Sequence, residues 1–174
     1  ATRAASLFPL VAGGVFHVGG TGLGLLSAAR VLVLLFGPLL LGGRGRSGSS
    51  TWWVLAGGTI ACGALYVLVA ASPWFWLVLV LVTLAHLGGG TNWTVTTYGL
   101  QVRVPDAVLG RIMSADGMLV TLSIGITQVV AGVLSDLVGT RLLVGCFGAA
   151  SVVYGVGWFV ATRSLRDAPV ESGV

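Results

Sequence analysis

The chain has 174 residues, of which 56% are hydrophobic and only 8% are charged, and its mean hydropathy is +1.01. A water-soluble domain carries about a quarter charged residues, so this composition excludes an ordinary soluble globule and indicates a protein that lies in lipid. The net charge of +4 comes from scattered arginines, and without a basic stripe it does not indicate nucleic-acid binding.

Five segments are long and apolar enough to cross a membrane as helices, because a span needs about 20 such residues. They cover 23–41, 51–71, 74–98, 114–137 and 142–162, and a shorter apolar stretch covers 4–17. Since the chain begins at Ala1 inside that stretch, we expect a truncated first helix and a fragment of a longer protein. The predicted fold is all-α, a polytopic membrane helical bundle of about six transmembrane helices over 1–163, followed by a tail at 164–174.

Arginines are distributed unevenly between the two sets of connections. The connections at 42–50 and 99–113 and the C-terminal segment from Arg163 onward carry six arginines, whereas the opposite side carries only Arg141. The positive-inside rule therefore predicts that both connections and the C-terminus are cytoplasmic. On the outer side, Asp136 and Arg141 flank a turn at 138–140 and are expected to pair across it.

The stretch QVRVPDAVLGRIMSADG at 101–117 interrupts the apolar sequence with two arginines, two aspartates and a proline. The residue before Pro105 is pushed out of the helical region, so one helix is expected to end there. Leu109–Gly110 is a plausible turn, and Arg111 leads into the next span. The sequence thus predicts a cytoplasmic connection between the spans at 74–98 and 114–137.

Arg30 lies in the middle of the span at 23–41, too deep to reach either surface comfortably. A charged residue at this depth costs about 2.5–3.5 kcal/mol on insertion scales and therefore suggests a functional site. We expect Arg30 to face the interior of the bundle, either on a substrate or proton pathway or in a structural bond between helices.

His86, Asn92 and Thr96 give the span at 74–98 a polar half, which Gly88–Gly90 are expected to break. Discontinuous helices often line transport cavities, and histidine titrates near neutral pH. These three residues are candidates for the pathway, although a histidine bonded to a neighbouring helix remains the simpler interpretation.

Two further polar residues fall in the next span. Asp116 is expected near its cytoplasmic end, where the helix dipole favours an acid, and Gln128 is a lone amide at mid-span. Both are pathway candidates, with a helix-terminal acid and a bond between helices as the structural alternatives.

Small residues recur at four-residue spacing, which lets helix backbones approach closely. The patterns are Gly20/Gly24, Gly57/Ala61 and Gly145/Ala149.

Cys62 and Cys146 lack the spacing of a metal site or a disulfide framework. The sequence contains no catalytic motif and no cofactor motif, so we expect neither an enzyme nor a metal or cofactor site.

The sequence LGGGTNWTVTTYGLQVRVPDAVLGRIMSADGML at 87–119 resembles the C-terminal half of a major facilitator superfamily transporter. It is similar in particular to bacterial exporters of the macrolide and enterobactin type. The matching features are a glycine-rich helix (Gly88–Gly90), Gln101, Val104-Pro105 and Gly110–Ser114. One departure is the connection at 42–50, which keeps the arginines but lacks the acid that the family often has there.

The resemblance implies a six-helix half that binds a small-molecule substrate against an N-terminal six-helix half absent from this chain. It also implies a cytoplasmic gate formed by Arg103, Pro105, Gly110 and Arg111, which joins helices that rock together.

The leading hypothesis is half of a proton-coupled exporter of small amphiphilic molecules, an antiporter in the bacterial plasma (inner) membrane with a cytoplasmic C-terminus. Its expected partners are the lipid bilayer, the N-terminal half, the substrate and protons, but no nucleic acid. The alternative is a non-transporting membrane scaffold or partner subunit that assembles through glycine-rich helix faces.

Overall fold

A computed structural model describes residues 10–41 and 48–163, and this part of the chain consists of helices joined by short connections, without strands. A short π-helix, Leu10–Val15, precedes five α-helices, which are α1 (Gly19–Leu41), α2 (Gly48–Ala71), α3 (Phe75–Arg103), α4 (Asp106–Val138) and α5 (Thr140–Ala161). The predicted all-α fold is confirmed. The predictions for Arg44 and Arg46, for residues 4–9 of the stretch at 4–17 and for the tail at 164–174 fall outside the described residues.

Four of the described helices are long and apolar enough to cross a membrane, namely Trp52–Ala71 of α2 and the whole of α3, α4 and α5. Gly19–Val33 of α1 forms a shorter apolar helix. Many large apolar side chains of α4 are exposed, including Leu119, Leu122, Ile126, Val129 and Val133. Hydrocarbon tails are a suitable solvent for such a surface, so the architecture is that of a polytopic membrane helical bundle.

The connection predicted at 99–113 is almost entirely helical. α3 continues to Arg103 and α4 begins at Asp106, so only Val104 and Pro105 separate them. Val104 is extended, with φ −99° and ψ 129°, as expected for the residue before a proline. The predicted end of the helix at Val104-Pro105 is confirmed, but the connection is a two-residue break.

The predicted turn at Leu109–Gly110 is wrong, because both residues lie within α4. Arg111 is consequently a helical residue and not part of a connection. Asp116 is also well inside α4, which begins ten residues earlier with Asp106 in its first turn. The helix dipole acts only within the first turn, so it accounts for Asp106 and not for Asp116.

The backbones of α2 and α5 are in direct contact at Gly63 and Gly148. A Cβ atom on Gly63 would lie 2.6 Å from the Gly148 carbonyl oxygen, and one on Gly148 would lie 2.8 Å from the Gly63 carbonyl oxygen. Further along the same interface, a Cβ on Gly155 would lie 2.8 Å from the Ile60 side chain. Glycine is therefore required at Gly63 and Gly148 for the helices to approach this closely.

α3 approaches α2 in the same way, at Gly88. A Cβ on Gly88 would lie 3.2 Å from the Cα of Gly58. The predicted break of the helix at Gly88–Gly90 is wrong, since α3 runs through all three glycines. The small size of Gly88 lets α3 approach α2 closely, and none of the three glycines interrupts α3.

The small-residue patterns predicted from the sequence are mostly not at helix contacts. A Cβ on Gly20, Gly24 or Gly57 would meet no atom within 4 Å. Among the glycines of these patterns, only Gly145 approaches another helix. A Cβ on Gly145 would lie 3.4 Å from the Ala70 Cβ. Four-residue spacing alone thus did not identify the contacting glycines.

Aromatic pairs mark one end of the bundle, where α2 begins and α5 ends. The ring centroids of Trp52 and Trp158 are 5.4 Å apart, and those of Trp53 and Phe159 are 4.5 Å apart. This pairing shows that α2 and α5 run antiparallel.

Arg141 holds the opposite end of the bundle. Its Nη1 donates hydrogen bonds to the carbonyl oxygens of Ala70 (3.2 Å) and Ser72 (2.7 Å), and its guanidinium carbon lies 5.5 Å from the Phe16 ring centroid. The expected pair with Asp136 does not form in the described part of the chain. The last carbonyls of a helix lack intrahelical donors and carry negative partial charge, and those of α2 bind Arg141 instead.

We predict that Gly63→Ala destabilises the bundle, because its new methyl group would overlap the α5 backbone. Overpacking of this kind costs about 1–3 kcal/mol. The matched control is Gly57→Ala on the same helix, where the methyl group meets open space and should leave stability unchanged or raise it by about 0.5–1 kcal/mol. Unfolding in mixed detergent micelles, followed by circular dichroism, measures both. Equal effects of the two substitutions would contradict the α2–α5 contact.

Candidate functional site

Arg30 and His86 occupy comparable positions along their helices. Each follows the start of its helix, α1 or α3, by eleven positions, or about 16 Å at 1.5 Å per residue. This is about half the thickness of a hydrocarbon core of about 30 Å.

Tyr66 of α2 contacts one of these two residues. Its ring meets the His86 imidazole edge-on, with centroids 6.1 Å apart. Tyr66 is only 6% exposed, and its hydroxyl makes no hydrogen bond to any described residue. We call Arg30, Tyr66 and His86 the interior polar cluster, to which α1, α2 and α3 contribute one residue each.

Arg30 is the charged member of the interior polar cluster. Its side chain is partly buried, and its Nε atom is fully buried without a hydrogen-bond acceptor in the described chain. No carboxylate among the described residues forms an ion pair with it. A guanidinium remains charged under cellular conditions, so the cluster carries a fixed positive charge inside the membrane region.

His86 is completely buried. Its Nδ1 atom lies 2.9 Å from the Val82 carbonyl oxygen, one turn earlier on α3. A carbonyl oxygen can only accept, so this contact assigns the ring proton to Nδ1. In the neutral imidazole, Nε2 is then the basic nitrogen, which allows the ring to take up and release a proton.

Asn92 joins α3 to α2 at a different level of the bundle. Its Nδ2 donates to the Leu55 carbonyl oxygen and to Thr59 Oγ1, both at 3.1 Å, while the Thr59 hydroxyl itself donates to Leu55 at 2.9 Å. The amide oxygen of Asn92 is buried and accepts no hydrogen bond from the described chain. Asn92 is thus primarily a bond between helices.

Two members of this polar interior, Thr59 and Tyr66, were not singled out from the sequence. With Cys62 they lie at positions i, i+3 and i+7 of α2, a spacing that places all three on one helix face. This periodicity was the signal that could have identified them.

The remaining predicted residues do not join the cluster. Thr96 is exposed on α3, Gln128 is exposed on α4, and Asp116 is partly buried on α4, which packs only lightly against α3 and α5. The residues predicted to form a gate, Arg103, Pro105, Gly110 and Arg111, are exposed around the break between α3 and α4.

Within the described residues, no group of histidine, cysteine or acidic side chains is arranged to hold a metal ion. Cys62 is partly buried and Cys146 is exposed, and both are free thiols. Comparison with family models, curated proteins and solved structures gave no match for the chain.

We predict that Asn92 and Thr59 are energetically coupled. Asn92→Ala and Thr59→Ala should each lower the free energy of unfolding, and a double-mutant cycle should give a coupling of about 0.6–1.7 kcal/mol, the range seen for such bonds in membrane bundles. The matched control is Thr94→Ala, whose hydroxyl bonds only the Gly90 carbonyl of its own helix and should show no coupling to Thr59. A coupling near zero for Asn92 would show that the bond between α2 and α3 is not formed.

Proposed function

We propose that this chain is the C-terminal six-helix half of a secondary-active transporter of the major facilitator type. In this proposal it is a proton-coupled exporter of small amphiphilic molecules in the bacterial plasma membrane. The observation that supports it best is the interior polar cluster, which places a fixed charge and a titratable ring at mid-depth in an apolar helical bundle. Transporter binding sites are typically found at this depth, and polar groups there are costly to maintain without a function.

The cluster has the parts that coupled transport needs. Arg30 provides a permanent charge that can attract a substrate group, and His86 provides a basic nitrogen that can exchange a proton. Because α1, α2 and α3 each contribute one side chain, a shift of α1 relative to the other two helices changes the separation of Arg30 from Tyr66. The binding strength of the cluster would then differ between inward-open and outward-open states, as alternating access requires.

The loosely packed helix α4 supports the proposal that a second six-helix half completes the transporter. Gln128 is exposed there at mid-span, and an amide in contact with hydrocarbon loses its hydrogen bonds. Packing against the other half, or lining the cavity between the halves, would satisfy it. The break at Val104-Pro105 would let α4 change its angle to α3 during the transport cycle.

Substitution of Arg30 tests this function directly. In the full-length protein, Arg30→Lys should reduce export by at least 10-fold, because lysine keeps the charge but loses the planar set of donors, and Arg30→Leu should abolish export. The measurement is efflux of fluorescent amphiphilic dyes from loaded cells, with protein abundance determined in parallel. The control is Arg163→Lys, at an exposed arginine just beyond the end of α5, for which export should be unchanged.

Normal export by both Arg30 variants would show that the residue is neither a ligand nor part of a relay. Absence of any export by the unmodified full-length protein, with normal insertion, would favour the alternative of a membrane scaffold.

The topology is a separate prediction. The break between α3 and α4 lies at the end of the bundle opposite Arg141. By the positive-inside rule, the excess of arginine in the sequence at 42–50, at 99–113 and from Arg163 onward supports a cytoplasmic location for that end. Single cysteines at Ser47 and Ser172, two positions outside the described residues, should resist a membrane-impermeant maleimide in intact cells after Cys62 and Cys146 are replaced. Efficient labelling at either position from outside would reverse the assigned orientation.

A further inference from the structure

We propose that Arg141 is a releasable clamp, which closes one end of the bundle by holding the residues that precede α1. These residues, 10–18, comprise the π-helix Leu10–Val15 and the connection to α1, and we call them the leading segment. Such a clamp does not depend on the proposed function, because a transporter and a membrane scaffold can both contain it.

Arg141 connects three parts of the chain that are distant in sequence. From the start of α5, its Nη1 donates hydrogen bonds to the carbonyl oxygens of Ala70 (3.2 Å) and Ser72 (2.7 Å), at the end of α2 and just beyond it. Its guanidinium carbon lies over the Phe16 ring, 5.5 Å from the centroid, which is within the range of a cation–π contact. The two carbonyls thus orient the guanidinium group, and the leading segment packs against it through Phe16.

The two sides of this clamp are not equally firm. α2 and α5 are also in backbone contact at Gly63 and Gly148, so the bonds from Arg141 to the end of α2 are not the only link between these helices. Phe16 is attached through its ring, by the contact with Arg141 and an edge-on contact with Phe75, with centroids 5.9 Å apart. Cation–π contacts are weak at exposed sites, and Arg141 is exposed. The contact between Phe16 and Arg141 is therefore the one that can open.

The backbone of the leading segment is irregular. Leu10–Val15 forms a π-helix, a rare conformation that is often found at functional sites. His17 has φ 53°, in the left-handed region that residues other than glycine rarely adopt. Backbone of this kind persists only where surrounding contacts determine it, and Phe16, which Arg141 contacts, lies between the two irregular features. Loss of that contact would let the segment change its conformation.

The leading segment covers apolar side chains at this end of the bundle. Val11 is 4% exposed and Ala12 is 1% exposed, and both belong to the buried apolar core. The π-helix packs against α5 as well as α1. The same core includes side chains from the end of α2 and the beginnings of α3 and α5, namely Val69, Val78, Leu143 and Val144. Movement of the segment would expose Val11 to water and open this end of the bundle.

Cysteine reactivity measures whether the clamp opens. In the full-length protein, Cys62 and Cys146 are replaced by serine, and Val11→Cys then supplies a single buried thiol. In lipid nanodiscs, where both ends of the bundle meet water, this thiol should react slowly with a water-soluble maleimide, at a rate that reports the opening equilibrium. Arg141→Gln and Phe16→Leu, the two clamp variants, each remove one partner of the contact. Each should raise the rate by about 2- to 5-fold, as expected for loss of an exposed cation–π contact.

Two controls separate opening at this end from general loosening of the bundle. Val95→Cys is the same substitution at another buried valine, twenty residues from the start of α3, or about 30 Å along the helix, and its rate should not change in the clamp variants. Arg163→Gln, at an exposed arginine beyond the other end of α5, should not change the rate of Val11→Cys. Equal increases at the two cysteines, no increase in both clamp variants, or rapid reaction of Val11→Cys without a clamp variant would overturn the proposal.

The clamp and the proposed function fail separately. Faster reaction of Val11→Cys in the clamp variants, with no dye export by the unmodified full-length protein, would support the clamp and contradict transport. Normal dye export, with unchanged reaction rates in the clamp variants, would support transport and overturn the clamp.

Discussion

The structure depends on backbone contact between α2 and its two neighbours, at Gly63 with Gly148 of α5 and at Gly58 with Gly88 of α3. Lipid tails are as apolar as leucine side chains, so burial of apolar surface does not drive helices together in a membrane. Close packing and bonds between helices take its place. Because glycine removes the side chain at these points, the backbone of α2 packs directly against α5 and α3.

The packing of α2 determines which of its side chains lie inside the bundle. Tyr66 follows Gly63 by less than one turn of α2, and its ring contacts His86 of α3. The bond from Asn92 to Thr59 and Leu55 holds the same two helices at another level. Buried polar groups of α2 and α3 thus lie inside the bundle. In the proposed transporter this arrangement keeps the cluster preorganised for a ligand while α1 and α4 move.

The sequence was sufficient to predict the helices but not their contacts. Hydropathy located every described span, and Pro105 located the break between α3 and α4, because these features act within one segment. The role of Gly88 as a contact, and the polar face formed by Thr59, Cys62 and Tyr66, depend on which helices are neighbours, and no local pattern specifies that. Asp116 was expected near the start of its helix, but α4 begins at Asp106, ten residues earlier. The sequence did not specify this helix start.

The most direct test of a water-accessible, cationic interior uses the native thiol of Cys62, one turn from Tyr66 on α2. In a Cys146→Ser background, inverted membrane vesicles are treated with methanethiosulfonates that carry either a sulfonate or a trimethylammonium group. Cys62 should react with both reagents but faster with the anionic one, and Arg30→Gln should remove this difference. If Cys62 is inert to both charged reagents, or reacts faster with the cation, the interior polar cluster is a sealed structural feature and not part of a substrate pathway.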